Sequence, residues 1–197
     1  KKNWHAAHYR DQFQRNPLTR GISKFDPDDL IMISDLDEIP NPEKISNFTG
    51  KDKYVCFVQK NFSLKLNLLN KSEPNWCGTR MCRKKDLKSP QWLRDIKPRK
   101  IPFYKFYKPK FDKFIENGGW HFSSVKNAEG IYKKLNSYAE QQFNNKRFKD
   151  LKTIKEKINN KLDLFEKDHS FETIEIDANF PKYIYDNKTK FKEFIYD

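Results

Sequence analysis

The chain has 197 residues, with 40 Lys and Arg against 27 Asp and Glu and a formal net charge of +13. That length suits one domain with a real core, and no run approaches the roughly 20 apolar residues of a membrane span. The charge favours polyanionic or phosphate-bearing partners, or a peripheral contact with an acidic membrane surface, without choosing among them. The chain starts at Lys1 rather than Met and carries no signal-peptide pattern, so it reads as a processed form or a fragment. Its three cysteines, Cys56, Cys77 and Cys82, are odd in number and follow no repeating spacing. That argues against a disulfide framework or a zinc site and for reduced thiols in a reducing, cytoplasmic compartment.

In chain order, residues 4–22 predict a helix with Trp4, Tyr9, Phe13 and Ile22 as its apolar stripe, bent or restarted at Pro17. "LIMIS" (30–34) is a short apolar run bounded by acids and predicts a buried strand. Asn41-Pro42 predicts an N-cap opening a short helix through Phe48. Strands are predicted over 53–59, 62–69 and 76–82, the second turning Phe62, Leu64, Leu66 and Leu68 inward. Ser89-Pro90 predicts a short helix "PQWLRD". Residues 97–118 are rich in Lys, Pro and aromatics and show no period. "GGWHFSSV" (118–125) predicts a turn into a strand. Asn127 caps a predicted helix to about Phe143, with Ile131, Leu135 and Tyr138 on one face. A further helix is predicted over 152–165, and the aromatic tail is expected to dock on the body. This order of elements is mixed α/β.

The chemistry concentrates in "DDLIMISDLDEIP", residues 28–40. Side chains at the carboxyl end of a strand in an open α/β sheet face the crevice where ligands bind. In an extended segment Asp35 and Asp37 share one side. Their mutual repulsion is relieved by a divalent cation, and hard oxygen ligands suit Mn²⁺ or Mg²⁺. Phosphate oxygens then fill the open positions, and the metal stabilises a departing diphosphate. The competing reading is an acidic turn that caps a helix.

The run "SDLDEIPNPEKI" resembles the metal-binding segment of glycosyltransferase family 17, the family that adds bisecting β-1,4-N-acetylglucosamine to N-glycans. Four more segments agree in order: "QRNPLTRGI" (14–22), "NWCGTRMCRKKDLKSPQWLR" (75–94), "GGWHFSSV" and "FPKYIYDNKTKF" (180–191). The resemblance spans nearly the whole chain. It implies a single catalytic domain of GT-A type, a Rossmann-like mixed sheet flanked by helices, here lacking its first strand-helix-strand unit. It implies an inverting transfer from a nucleotide-sugar donor, UDP-GlcNAc, to a glycan acceptor. By the same resemblance Asp35 and Asp37 carry the metal and His121 is a third ligand. Against that, a lone histidine beside Trp120 is often simply packed. Arg15, Asn16 and Arg20 are candidates for the donor, because a guanidinium forks onto phosphate oxygens. Trp76 and Arg80 are candidates for the acceptor sugar. The general base that an inverting transfer needs stays open among Glu38, Asp95, Glu129 and Glu140.

Two other classes compete. The basic and aromatic stretch 97–114 resembles the platforms that bind single-stranded nucleic acid, but no nucleic-acid motif accompanies it. A two-metal nuclease or phosphotransferase could use Asp35, Asp37 and Glu38, yet it leaves "GGWHFSSV" and "WCGTR" unexplained. The expectation is therefore a transferase with no nucleic-acid partner.

Overall fold

The computed structural model describes residues 2–48, 50–98, 107–137 and 150–197. Its strands are β1 (Leu30–Ile33), β2 (Glu38–Pro40), β3 (Tyr54–Ser63), β4 (Leu68–Asn70), β5 (Asn75–Arg83), β6 (Lys113–Ser123) and β7 (Phe171–Thr173). Its helices are α1 (Lys2–Arg15), α2 (Thr19–Ile22), α3 (Pro90–Asp95), α4 (Ala128–Ser137), α5 (Leu151–Asn159) and α6 (Lys182–Asp186). The seven strands pair in the order β1-β5-β3-β4-β7, and β6 joins β3 and β2. The class is α/β, a mixed sheet flanked by helices. Contacts gather into two units, His8–Gln59 with Cys77–Gly119, and Lys1–Ala7 with Lys60–Trp76 and Trp120–Asp197.

In the first unit β1 pairs antiparallel with β5, Ile31 opposite Cys82, Met32 opposite Met81 and Ile33 opposite Arg80. Cross-strand partners share a face of the sheet, so two apolar layers form. Ile31, Ile33, Tyr54, Cys56, Cys82, Leu93, Ile96 and Phe111 make one layer. Val55, Phe57, Met81 and Ile115 make the other. Each fully buried large side chain contributes roughly 1.5–3 kcal/mol against exposure. "LIMIS" is thus half of an antiparallel pair, with Ile31 and Ile33 buried and Leu30 exposed. Periodicity over so short a run does not distinguish the two situations.

The predicted N-terminal helix breaks as expected, through a 3-10 turn at Asn16–Leu18. Its apolar stripe does not form as predicted. Tyr9 is 68% exposed and Phe13 83%, while Ile22 packs against the layer that holds Ile31. Asn41 caps a 3-10 turn over Pro42–Asn47 through Glu43 N–H. Ser89 Oγ accepts Trp92 N–H at 3.1 Å and starts α3. The end of the predicted 97–118 stretch is strand, because β6 begins at Lys113.

In the second unit, Phe62, Leu64, Leu66 and Leu68 are all buried, but not as one strand. β3 ends at Ser63, Leu64 takes φ +67°, and the chain turns before β4. Leu64 and Leu68 pack with Ile131, Leu135, Ile154 and Ile158 from α4 and α5. Phe62 and Leu66 pack with Trp120, Phe122 and the tail residues Phe180 and Ile184. The tail therefore docks as expected. α4 starts after Asn127, whose Oδ1 accepts Gly130 N–H. Its predicted extension past residue 137 lies outside the described residues. α5 stops earlier than predicted. Leu162 N–H reaches Lys157 C=O and Lys161 N–H reaches Ile158 C=O, with Lys161 left-handed at φ +54°. That is a Schellman ending with Lys where Gly usually signals it, so the sequence did not announce it.

Candidate functional site

The acidic segment after β1 is a tight turn. Glu38 N–H donates to Asp35 C=O at 3.0 Å, and Asp35 N–H donates to Glu38 Oε2 at 3.0 Å. Leu36 stands fully exposed at the tip. The period-two argument for Asp35 and Asp37 fails here, because the chain bends between them. Arg15, at the end of α1, forks onto Asp35 with Nε and Nη2 at 3.2 and 2.9 Å from Oδ1. Arg94, from α3, places Nη2 2.8 Å from Asp35 Oδ2 and 2.8 Å from Glu38 Oε1. Its Nη1 reaches Glu38 Oε2 at 2.9 Å and Gly78 C=O at 2.7 Å. Gln91 completes the network by accepting Arg15 Nη1 at 2.9 Å. Gln91 and Arg94 are three residues apart on α3 and so share a face.

This network is charge-balanced and partly buried. The Glu38 side chain is 1% exposed and that of Arg94 7%, against 35% for Asp35. Burial pulls the Arg94 guanidinium down, but hydrogen bonds and charge from Glu38, then Asp35, raise it above its ordinary value overall. Beside it Arg80 is lowered to about 10 by burial, with Arg94 adding repulsion. A carboxylate has about four lone-pair sites, and Asp35 meets four guanidinium contacts. A cation at Asp35 would have to displace one of them. Among the described residues no group of three or more His, Cys, Asp or Glu gathers to hold a metal. Mg²⁺-type sites, however, commonly use one or two carboxylates and leave the rest to water and substrate phosphates. Asp37 lies in the same turn and is half-buried.

The donor candidates lie on consecutive short elements, Arg15 ending α1, Asn16 in the 3-10 turn and Arg20 in α2. Asn16 and Arg20 line a cleft of about 500 Å³ with Tyr9, Gln12, Phe13 and Pro17. Arg15, beside Asn16, faces the acidic turn instead. Of the acceptor candidates, Arg80 is buried, donating Nη1 to Leu93 C=O at 3.1 Å and lying over Phe111. Among the described residues its Nε and Gln59 Oε1 are buried without a hydrogen-bond partner. In the second unit Trp76 is 37% exposed. It stacks on His121 with ring centroids 4.5 Å apart. Asn61 Nδ2 donates to Glu73 C=O, so Asn61 Oδ1 faces His121 Nδ1 at 2.9 Å as an acceptor. That fixes the tautomer: neutral His121 carries its proton on Nδ1 and its basic lone pair on Nε2.

The base candidates separate by environment. Glu38 is buried and bound to Arg94, which suits an organiser rather than a group that must reach a hydroxyl. Asp95 is exposed and accepts Gln91 Nε2 at 3.0 Å. Glu129 lies in the first turn of α4 and pairs with Lys155 at 3.1 Å. Its own backbone N–H, then Lys155, hold its carboxyl below the ordinary value. Glu140 lies outside the described residues. The residues that sequence reasoning missed are Gln91 and Arg94. Their signal was present in "SPQWLR", where a capped start fixes the face that both share.

The two glycines of "GGWH" have a packing reason. A Cβ on Gly119, at φ +141°, would sit 2.1 Å from Ile39 C=O. A Cβ on Gly118 would sit 2.8 Å from Phe57 Cβ, and Gly118 C=O accepts Asn41 N–H at 2.8 Å. β6 therefore clamps the chain directly after the acidic turn. No family model, curated protein or solved structure matches the chain. No helix among the described residues is long and apolar enough to cross a membrane.

Proposed function

We propose that the protein is a metal-dependent inverting glycosyltransferase, moving N-acetylglucosamine from UDP-GlcNAc to a glycan acceptor. The observation that carries this reading is the double use of the segment that runs from α1 through α2. It holds the acidic turn through Arg15. Around it, Tyr9, Phe13, Asn16 and Arg20 offer an aromatic, amide and cationic cleft. A nucleotide needs those two chemistries side by side: a stacking surface for its base, and charge compensation for its diphosphate. The ordered sequence segments supply the rest of the support.

In this reading Asp37 holds Mn²⁺ or Mg²⁺, and Asp35 joins only if Arg15 releases it. The bound ion would supply charge neutralisation of the leaving diphosphate. Arg94 keeps Glu38 and Asp35 in place, so the turn is preorganised rather than assembled on binding. Arg15 can swing from Asp35 to a phosphate, exchanging one anion for another at little electrostatic cost. Trp76, 37% exposed and stacked on His121, would offer ring surface to an apolar sugar face.

The first test is calorimetry with Mn²⁺ and UDP-GlcNAc, followed by assay of UDP release. Wild type is expected to bind the donor only with metal. Asp37→Asn should lose at least roughly tenfold in metal-dependent affinity, through removal of one anionic ligand, while melting like wild type. Unchanged affinity in the folded variant would sink the assignment.

A further inference from the structure

The structure points to a feature independent of that activity. Cys56, on β3, and Cys77, on β5, place their sulfurs 2.8 Å apart as free thiols. Even carbon atoms without a bond between them sit best at roughly 3.5–4.0 Å, so this pair has no room for anything between its sulfurs. Cys77 and Cys82 pack on the same apolar layer although five residues apart on one strand. Odd spacings face opposite sides of a regular strand. β5 nevertheless brings both cysteines to the layer that holds Cys56.

We propose that Cys56 and Cys77 form a reversible disulfide by exchange with a low-molecular-weight disulfide. Cys77 is the attacking thiol. It is half-buried, whereas Cys56 is wholly buried. The hydrogen bond from Cys56 holds Cys77 below the ordinary thiol value, against burial and with help from Arg80 and Arg94. The same contact, with burial, raises Cys56. In the first step Cys77 thiolate attacks one sulfur of the oxidant, breaks its S–S bond and releases one thiol. Cys56 then loses its proton and attacks Cys77 sulfur, releasing the second thiol. The two cysteines are oxidised by two electrons, and the oxidant is reduced to two thiols. Gly78, next to Cys77, holds Arg94 through its carbonyl, so the bond would pin the strand that anchors the acidic turn. Cys82 is a built-in control, its thiol raised to about 12 by burial.

The experiment is equilibration of the full chain in glutathione buffers of graded oxidised-to-reduced ratio, acid quench, alkylation under denaturing conditions and peptide mass mapping. Two of the three thiols should become protected together, with the mass of two hydrogens lost and the peptides of Cys56 and Cys77 joined. Cys56→Ser should trap one glutathione per chain on Cys77, and Cys77→Ser should trap none. Cys82→Ser should leave the linkage intact. Three alkylated thiols at every ratio, or a linkage through Cys82, would overturn the proposal. Wild-type mapping decides it even if a serine variant fails to fold.

Discussion

Arg94 is the residue on which the acidic turn depends. Its guanidinium touches Asp35, Glu38 and Gly78 C=O within 2.7–2.9 Å, and its side chain is 7% exposed. Removing one member of such a pair leaves a buried charge without its partner, which typically costs about 3–5 kcal/mol. Arg94→Met is therefore expected to lower stability by that amount in urea denaturation. Glu38→Leu combined with Arg94→Met should recover much of it, because an apolar pair of similar volume replaces both charges. The donor affinity should not recover, since the turn has lost the guanidinium that preorganises it. Single substitution without loss of stability would show that Arg94 is a surface residue in solution.

Two elements act as positioning devices. α3 spans only Pro90–Asp95, too short to be stable alone, so its start and its packing fix it. Ser89→Ala removes the acceptor of Trp92 N–H and should cost about 1 kcal/mol. It should also weaken donor binding, because Gln91 and Arg94 ride on that helix. The β6 clamp is stricter. Gly119→Ala would force a Cβ to 2.1 Å from Ile39 C=O at a φ of +141°. Overpacking against backbone commonly costs about 1–3 kcal/mol, and the left-handed φ adds to it. The expected result is a melting temperature lowered further than by Ser89→Ala, by circular dichroism. Gly21, with open space around its Cβ position, makes the matching control: Gly21→Ala should hold or gain stability.

For the whole molecule, the excess of 40 basic over 27 acidic residues predicts attraction to polyanions of every kind. Such attraction between exposed charges is screened within about 8 Å at physiological salt, and phosphate-backbone binding falls steeply with ionic strength. Oligonucleotide binding is expected to vanish between low salt and about 0.5 M, while Mn²⁺-dependent donor binding persists. Fluorescence anisotropy at graded salt, with both ligands, checks this. Oligonucleotide binding that survives high salt, with no response to UDP-GlcNAc, would favour the nucleic-acid class instead.

By itself, the sequence determined what is local. Ser89-Pro90, Asn41-Pro42 and Asn127 announced helix starts, because a cap is a hydrogen bond over three residues. Apolar runs announced β3, β5 and the buried leucines, because burial of those side chains is favourable in any arrangement. The crowding of Asp35, Asp37 and Glu38 behind β1 was legible for the same reason, as was the mixed α/β order. Tertiary structure alone decided the partners. Nothing near Asp35 in the chain says that Arg15 and Arg94, 20 and 59 residues away, would fill its lone pairs. Nor does spacing say that Tyr9 and Phe13 would face solvent, or that Cys77 would meet Cys56 rather than stand alone. An ion pair, a stack or a sulfur contact is a relation between surfaces that only folding brings together, and its chemistry belongs to the pair.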